Sequence, residues 1–181
     1  MARVGNATVL HVGVTGLLRK PELFRRLRLT LALVLASSAV PALGASNVRI
    51  SGLTDLAFGT ITGLGSDNSR SESLCLYSSS PTSGYRVTAT GTGTGGAFTL
   101  ASGANTLAYE VQWNAQSGQT SGSQLTAGVP LTGLVSSATQ QQCNSGPASS
   151  ASLILVLRSA ALSTAHAGTY NGTLTLLIAP E

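Results

Sequence analysis

Two short segments of the sequence are mainly apolar on both faces of an extended strand, and they constrain the fold more than any other feature. They are residues 153–157 (LILVL) and 174–179 (LTLLIA). An edge strand open to water keeps one polar face, so a strand that is apolar on both faces must be packed against other parts of the protein on both sides. We therefore expect the fold to cover both faces of each segment.

Most other extended segments alternate apolar and polar residues between Gly, Ser, Asn and Pro, as half-buried strands do. Tyr85, Val87 and Ala89, for example, alternate with polar residues, and helical periodicity with caps is hard to find after residue 45. The sequence therefore predicts an all-β chain that folds as a sandwich or barrel. The predicted strands are residues 53–58, 74–78, 85–90, 97–101, 106–113, 129–134, 153–158 and 173–178.

The first 44 residues are typical of a secretory signal peptide with an overlong basic region. They hold six basic residues and one acid, whereas residues 45–181 hold four arginines and five acids, so the two parts carry charges of +5 and −1. Three arginines precede an apolar run at residues 29–40, and small residues follow it. We predict cleavage after Gly44 or Ala45, which leaves one domain. A membrane anchor is the alternative, but a span needs roughly 20 apolar residues.

The predicted domain contains two cysteines, Cys75 and Cys143. An exported chain crosses an oxidising compartment where thiols pair, and two cysteines allow one internal pairing. The sequence therefore predicts a Cys75–Cys143 disulfide, with two free buried thiols as the alternative.

No motif in the domain carries recognisable catalytic or metal chemistry. His166 could serve a hydrolytic triad only if it met an activated nucleophile, such as Ser163, and an orienting acid. Gly91, Gly93 and Gly96 match the letters of a dinucleotide fingerprint, but a predicted strand follows them instead of a helix. One histidine and two paired cysteines cannot supply a zinc site, and the acids lack calcium-loop spacing. We predict no enzyme activity, no cofactor and no metal.

The composition also argues against several kinds of partner. Four scattered arginines do not form the basic face that nucleic acid requires. The sequence Asn171-Gly172-Thr173 matches a glycosylation sequon and also a turn, and we favour the turn. Aromatic residues could stack on sugar rings, but most lie on the inward phase of predicted strands, which favours core packing. These aromatic residues are Tyr77, Tyr85, Tyr109, Trp113 and Tyr170.

A series of short motifs runs along residues 45–181. They are LAFG at 56–59, Cys75, YRV at 85–87, FTL at 98–100, LAYEV at 107–111, Cys143 and AGTYNGTLTL at 167–176. This series resembles the spore coat protein U domain family, which supplies pilins of the archaic chaperone–usher pathway. The resemblance spans nearly the whole domain, and its most specific part is the closing Ala-Gly-x-Tyr-x-x-Thr-Leu-Thr run.

The resemblance implies an immunoglobulin-like sandwich that lacks its last strand, so that a hydrophobic groove stays open beside the final strand. A periplasmic chaperone would lend a strand to this groove, and another pilus subunit would replace that strand at the outer-membrane usher. The residues agree, because the apolar segment 174–179 closes the sequence and we expect no later segment to cover it. The predicted groove residues are Leu153, Leu155, Leu157, Leu174, Leu176 and Ile178.

Two features depart from such pilins. Few residues separate the predicted cleavage site from Phe58, so an N-terminal donor segment that includes Val48 and Ile50 would be stunted. Pro180 cannot donate a ladder hydrogen bond and marks the limit of the final strand. We therefore predict an exported structural subunit of a pilus or surface coat, without a stable membrane anchor, that accepts a strand at a terminal or tip position.

The alternative is a secreted, adhesin-like β-sandwich module. Its exposed loops at residues 90–96 or 117–123 would bind a carbohydrate or another surface. Both functions place the protein outside the cell, and they are compatible in a tip subunit.

Overall fold

The computed structural model describes residues 2–10, as backbone, and residues 46–181. Over these ranges the regular secondary structure is almost entirely β-strand, with one short α-helix, α1, at Ser159–Thr164 and one 3-10 turn at Thr94–Gly96. The rest of the predicted leader, with the predicted cleavage site, lies outside the described residues. The strands are β1 (Ala2–Leu10), β2 (Val48–Ser51), β3 (Thr60–Ile61), β4 (Asn68–Ser78), β5 (Gly84–Thr90), β6 (Thr99–Ser102), β7 (Asn105–Ala108), β8 (Glu110–Asn114), β9 (Ser123–Gln124), β10 (Leu131–Val135), β11 (Ala151–Leu157) and β12 (Thr169–Pro180).

The strands form two sheets whose apolar faces pack against each other, which confirms the predicted β-sandwich. The order is β10-β5-β12-β1-β3 in the first sheet, to which β6 and β7 add beside β12, and β2-β4-β11-β8-β9 in the second. β11 is the central strand of the second sheet, and all seven of its residues are buried. A central position with both faces covered explains why this segment is apolar throughout.

Tyr85 and Trp113 contact each other across the core and so connect the two sheets. Tyr85 lies on β5 of the first sheet and Trp113 on β8 of the second, and both are almost fully buried. Their rings meet edge to face with centroids 6.3 Å apart, and the Trp113 indole N–H donates to the Tyr85 hydroxyl at 3.0 Å. Burial raises the pKa of Tyr85 to about 12, so the hydroxyl stays protonated at neutral pH.

The segment at residues 53–58 is not a strand, so this prediction is wrong. β2 pairs with β4 up to Ser51, and Gly52 then turns at a φ of +84°, a conformation that suits glycine. The chain next crosses to β3 in the first sheet. Leu56 and Phe58 are buried during the crossing, and Leu56 makes only an isolated bridge, so their alternation reflects burial more than strand pairing.

The predicted strand at residues 106–113 is divided at Tyr109. The part before it, β7, pairs with β6, and the part after it, β8, pairs with β11. The two parts therefore belong to different sheets. The amide of Tyr109 itself donates to the carbonyl of Phe98 at 3.0 Å, so the backbone at the corner remains hydrogen-bonded.

The predicted disulfide is confirmed. Cys75 on β4 is bonded to Cys143 in the loop before β11, across a sequence separation of 68 residues. Both cysteines are buried, and with Ala138 they form a small cluster separate from the main core. The disulfide thus fixes a long polar loop to the outer face of the second sheet.

Removal of the disulfide is expected to destabilise the protein. The double variant Cys75→Ala/Cys143→Ala should lose about 4 kcal/mol of unfolding free energy, because the unfolded chain is no longer constrained by the cross-link. Chemical denaturation of the oxidised protein and the variant measures this loss. Reductant should destabilise the wild-type protein alone, and a double variant as stable as the oxidised protein would contradict the prediction.

Two serine hydroxyls replace a missing strand beside β4. The pairing of β4 with β11 reaches Leu74, so Leu76 has no β11 residue opposite it. The Leu76 amide donates to Ser150 Oγ at 2.9 Å, and its carbonyl accepts hydrogen bonds from the hydroxyls of Ser150, at 2.7 Å, and Ser136. These buried serines satisfy backbone groups that water cannot reach.

The substitution Ser150→Ala therefore tests this network. It leaves the buried Leu76 amide without a partner and should lower the unfolding free energy by about 1–3 kcal/mol. Ser145→Ala, at an exposed serine of the same loop, is the matched control and should change stability by less than about 0.5 kcal/mol. Equal denaturation midpoints for the two variants would show that the hydroxyl is dispensable.

Candidate strand-acceptor site

One strand position lies between β12 and β3 in the first sheet, and β1 occupies it. β1 runs parallel to residues 169–175 of β12, and its first residues pair antiparallel with β3. Within residues 46–181 no strand fills this position. We call it the strand slot, bounded by the 169–175 edge of β12 and by β3. The groove predicted to be open beside the final strand is therefore occupied in the full chain.

The opposite edge of β12 is paired within residues 46–181. β5 runs antiparallel along residues 175–180, and β6 reaches Asn171 on the same side. β12 is thus an interior strand when the slot is filled and an edge strand when it is empty. An empty slot would leave backbone amides and carbonyls of β12 without partners, which is the condition for strand addition.

The predicted groove residues all lie in the main core. Those on β12 face those on β11 across the sandwich, and all are buried. Leu174 borders the slot directly, opposite Val9 of β1, whereas Leu176 and Ile178 lie beyond the end of the β1 pairing. The outer face of β12 is less covered than predicted, because Leu177 is 49% exposed. The buried residues are Leu153, Leu155, Leu157, Leu174, Leu176 and Ile178.

None of the sequence patterns predicts that Tyr170 and Gly172 border the slot. β12 begins at Thr169, and residues 171–172 lie within it, so the predicted Asn-Gly turn is wrong. Tyr170 is fully buried, and its hydroxyl donates to the carbonyl of His166 at 2.9 Å. The alternation of Tyr170 with Leu174 and Leu176 could have revealed the longer strand, but the turn preference of Asn-Gly concealed it.

Gly172 allows β6 to pack closely against β12. A Cβ atom at this position would lie 3.0 Å from the Thr99 carbonyl oxygen and 2.9 Å from Leu100 Cδ2. Both contacts are tighter than ordinary van der Waals packing. A side chain here would push β6 away from the strand that borders the slot.

The β3 side of the slot is held by side chains of β4. Arg70 donates to the carbonyls of Ala57 at 3.3 Å and Phe58 at 3.2 Å, and its guanidinium lies 6.0 Å from the centroid of the Phe58 ring. The amide of Thr54 donates to a Glu72 carboxylate oxygen at 2.9 Å. These bonds fix the crossing segment that carries β3.

The far edge of the first sheet, at β10, is unsuited to strand addition. The pairing of β10 with β5 shifts register between Leu131 and Leu134, and Gly133 adopts a φ of +72° within this bulge. The Gly133 amide donates to the Glu181 carboxylate at 2.8 Å, so it is already paired. Bulges and paired groups of this kind protect edges from other chains.

An exposed ion cluster joins the strand ends that precede α1. Arg158 pairs with Asp67 at 2.7 Å and also with Glu110. The pKa of Asp67 is lowered, first by the hydrogen bond from the Ser159 amide and then by Arg158. Hydrogen bonds from Arg158 to Glu110 and Asp67 raise the pKa of the guanidinium. Because these groups are solvent-exposed, we assign the cluster a role in positioning α1 and not in binding a ligand.

The other motifs singled out in the sequence do not form a second site. His166 is exposed, and the Ser163 hydroxyl donates to the Ala160 carbonyl. Of the five aromatic residues considered for sugar stacking, four are buried and Tyr77 is half-buried. Residues 46–181 hold no group of three or more His, Cys, Asp or Glu side chains that could bind a metal. In the described part of the chain, no helix has the length and apolarity to cross a membrane.

Comparisons with known proteins give one structural similarity. A solved structure of a chaperone–tip adhesin complex of CFA/I fimbriae biogenesis matches with a TM-score of 0.47 and 16% sequence identity, covering 76% of this chain and 42% of that one. The chain therefore spans less than half the length of that protein. No family model matches the sequence. No curated protein matches it either.

Substitution of Gly172 tests the packing beside the slot. Gly172→Ala is expected to lower the unfolding free energy by about 1–3 kcal/mol, because its methyl group meets the β6 backbone. Gly63→Ala is the matched control, since a Cβ atom there meets no atom within 4 Å. The control should be neutral or more stable by about 0.4–1 kcal/mol. Chemical denaturation gives both values, and a neutral Gly172→Ala would contradict the packing argument.

Proposed function

We propose that the protein is an exported structural subunit of a chaperone–usher pilus or surface coat, of the spore coat protein U kind, and that it works by accepting a strand in the slot. The observation that supports this proposal is the origin of the strand that fills the slot. β1 comes from residues 2–10, which precede the predicted cleavage site. Leader removal would take this strand away and leave β12 with an unpaired edge.

An empty slot would make the processed domain dependent on a partner. The edge of β12 beside Tyr170 and Leu174 would expose unpaired backbone groups. A periplasmic chaperone that supplies an extended strand would provide hydrogen-bond partners for these groups. A neighbouring subunit would later take its place at an outer-membrane usher.

We further propose a terminal or tip position for this subunit. A polymerising pilin donates an N-terminal segment, but Val48–Ser51 forms β2 and pairs with β4 in the protein's own second sheet. Val48 and Ile50 also pack against the main core. The segment after the predicted cleavage site is thus used internally, so this subunit accepts a strand without donating one.

Export of the full chain into a bacterial periplasm tests the proposal. Without a chaperone the processed protein should aggregate or be degraded, and with a co-expressed periplasmic chaperone of the chaperone–usher pathway it should form a soluble one-to-one complex. Mass spectrometry of the mature N-terminus identifies the cleavage site. A processed protein that is stable and monomeric without a chaperone would contradict the proposal.

A pair of leucine variants makes this test specific to the slot. Leu174→Arg places a charge in the core beside the slot and should abolish the complex, while Leu177→Arg changes an exposed leucine of the same strand and should leave it intact. Co-purification yield with the chaperone is the measurement. Equal loss in Ile178→Arg, at a buried residue of the same strand beyond the β1 pairing, would point to general misfolding and not to the slot.

A further inference from the structure

One pair of residues in the strand that borders the slot has a reactivity that the proposed function does not use. Asn171-Gly172 is the one Asn-Gly pair in the sequence, and it lies within β12 instead of in a turn. We propose that this pair is a modification site: it deamidates through a succinimide when the slot is empty, and a strand in the slot prevents the reaction. This control rests on the proposed strand-acceptor function and adds a time limit to it.

The reaction needs only the two residues and water. The backbone nitrogen of Gly172 loses its proton and attacks Cγ of Asn171. A bond forms between these atoms, the Cγ–Nδ2 bond breaks, and the side-chain amide takes up a proton and leaves as ammonia. Water then opens the succinimide at either carbonyl, which gives aspartate or isoaspartate. Glycine favours the ring closure, because it has no Cβ atom to obstruct the approach and its backbone is the least restricted.

The pairing of β12 is weakest beside this pair. β5 pairs with β12 from Thr175 onward, and β6 pairs in register only with Asn171. Residues 172–174 therefore pair in register with the slot strand alone, which in the full chain is β1. Without a slot strand, the backbone of Gly172 has no ladder partner in register on either side, and such segments open locally at little cost.

The surroundings of the two residues differ. Asn171 is exposed, so water reaches its side-chain amide. Gly172 packs against β6, where a Cβ atom would lie 3.0 Å from the Thr99 carbonyl oxygen. The close approach of β6 thus requires glycine directly after Asn171, and the reactive pair is a consequence of the packing beside the slot.

Isoaspartate in β12 would damage the slot itself. Its main chain runs through the side-chain carbons, so the backbone gains an atom between residues 171 and 172. Tyr170 and Leu174, on either side of this point, would no longer share a register with an incoming strand. A subunit that waits without a partner would thus lose the ability to accept one, whereas a subunit in a complex is protected.

Timed peptide mapping of the exported protein tests the site. The processed protein is recovered with and without a co-expressed chaperone of the chaperone–usher pathway and incubated in mildly alkaline buffer. It is then digested, whether soluble or aggregated, for mass spectrometry. Asn144, an exposed asparagine followed by serine, is the internal reference. Relative to Asn144, Asn171 should convert at least about tenfold faster without the chaperone than in the complex, because the slot strand suppresses local opening.

Two variants assign the reaction to this pair. Asn171→Gln would have to close a larger ring and should show no conversion at position 171 on the same timescale. Asn144→Gln is the matched control and should leave the conversion of Asn171 unchanged. When chaperone is added to an aged sample, isoaspartate at position 171 should be depleted from the bound fraction, while deamidation of Asn144 should be equal in the bound and unbound fractions.

The outcomes separate this site from the acceptor function. If the complex forms and Asn171 converts at the same rate with and without the chaperone, the inference is overturned and strand acceptance stands. An even distribution of isoaspartate between bound and unbound protein would overturn the time limit. If the processed protein forms no complex, the acceptor function is wrong. Fast conversion would then retain Asn171-Gly172 as a modification site without control by a strand, and a rate no higher than that of Asn144 would remove both.

Discussion

The backbone pairing of β12 determines how the rest of the sandwich is organised. β12 carries the inward leucines that meet β11 across the core, and β5 and β6 hold one of its edges. Its other edge depends on β1, a strand from the opposite end of the sequence. The packing of the core and the edge that borders the slot thus belong to the same strand.

The crossing of the chain between β2 and β3 gives the slot its second wall. A single continuous first strand would have stayed in one sheet, but the turn at Gly52 sends the chain across to the other. Arg70 and Glu72, on β4, hold this crossing segment by hydrogen bonds to its backbone. β3 and β12 therefore border a slot that a single strand, β1, occupies.

The sequence predicted the sandwich and the disulfide, because apolar alternation and cysteine number are local signals. The six leucine and isoleucine residues predicted to line an open groove lie in the main core. The sequence did not predict β3 or the start of β12. Phe58 is buried without being in a strand, and Asn171-Gly172 lies in a strand despite its turn preference. Both errors arise where tertiary contacts outweigh local propensity. The pairing of β1 was missed because its segment was interpreted only as part of a leader.

The contact between Gly133 and the Glu181 carboxylate has a geometric consequence. That contact and the adjacent bulge make the β10 border a poor place for an incoming strand, which leaves the slot as the pairing position along β12. An assembly built through the slot would receive one incoming strand per molecule, which permits a linear chain or its cap and disfavours branched aggregates.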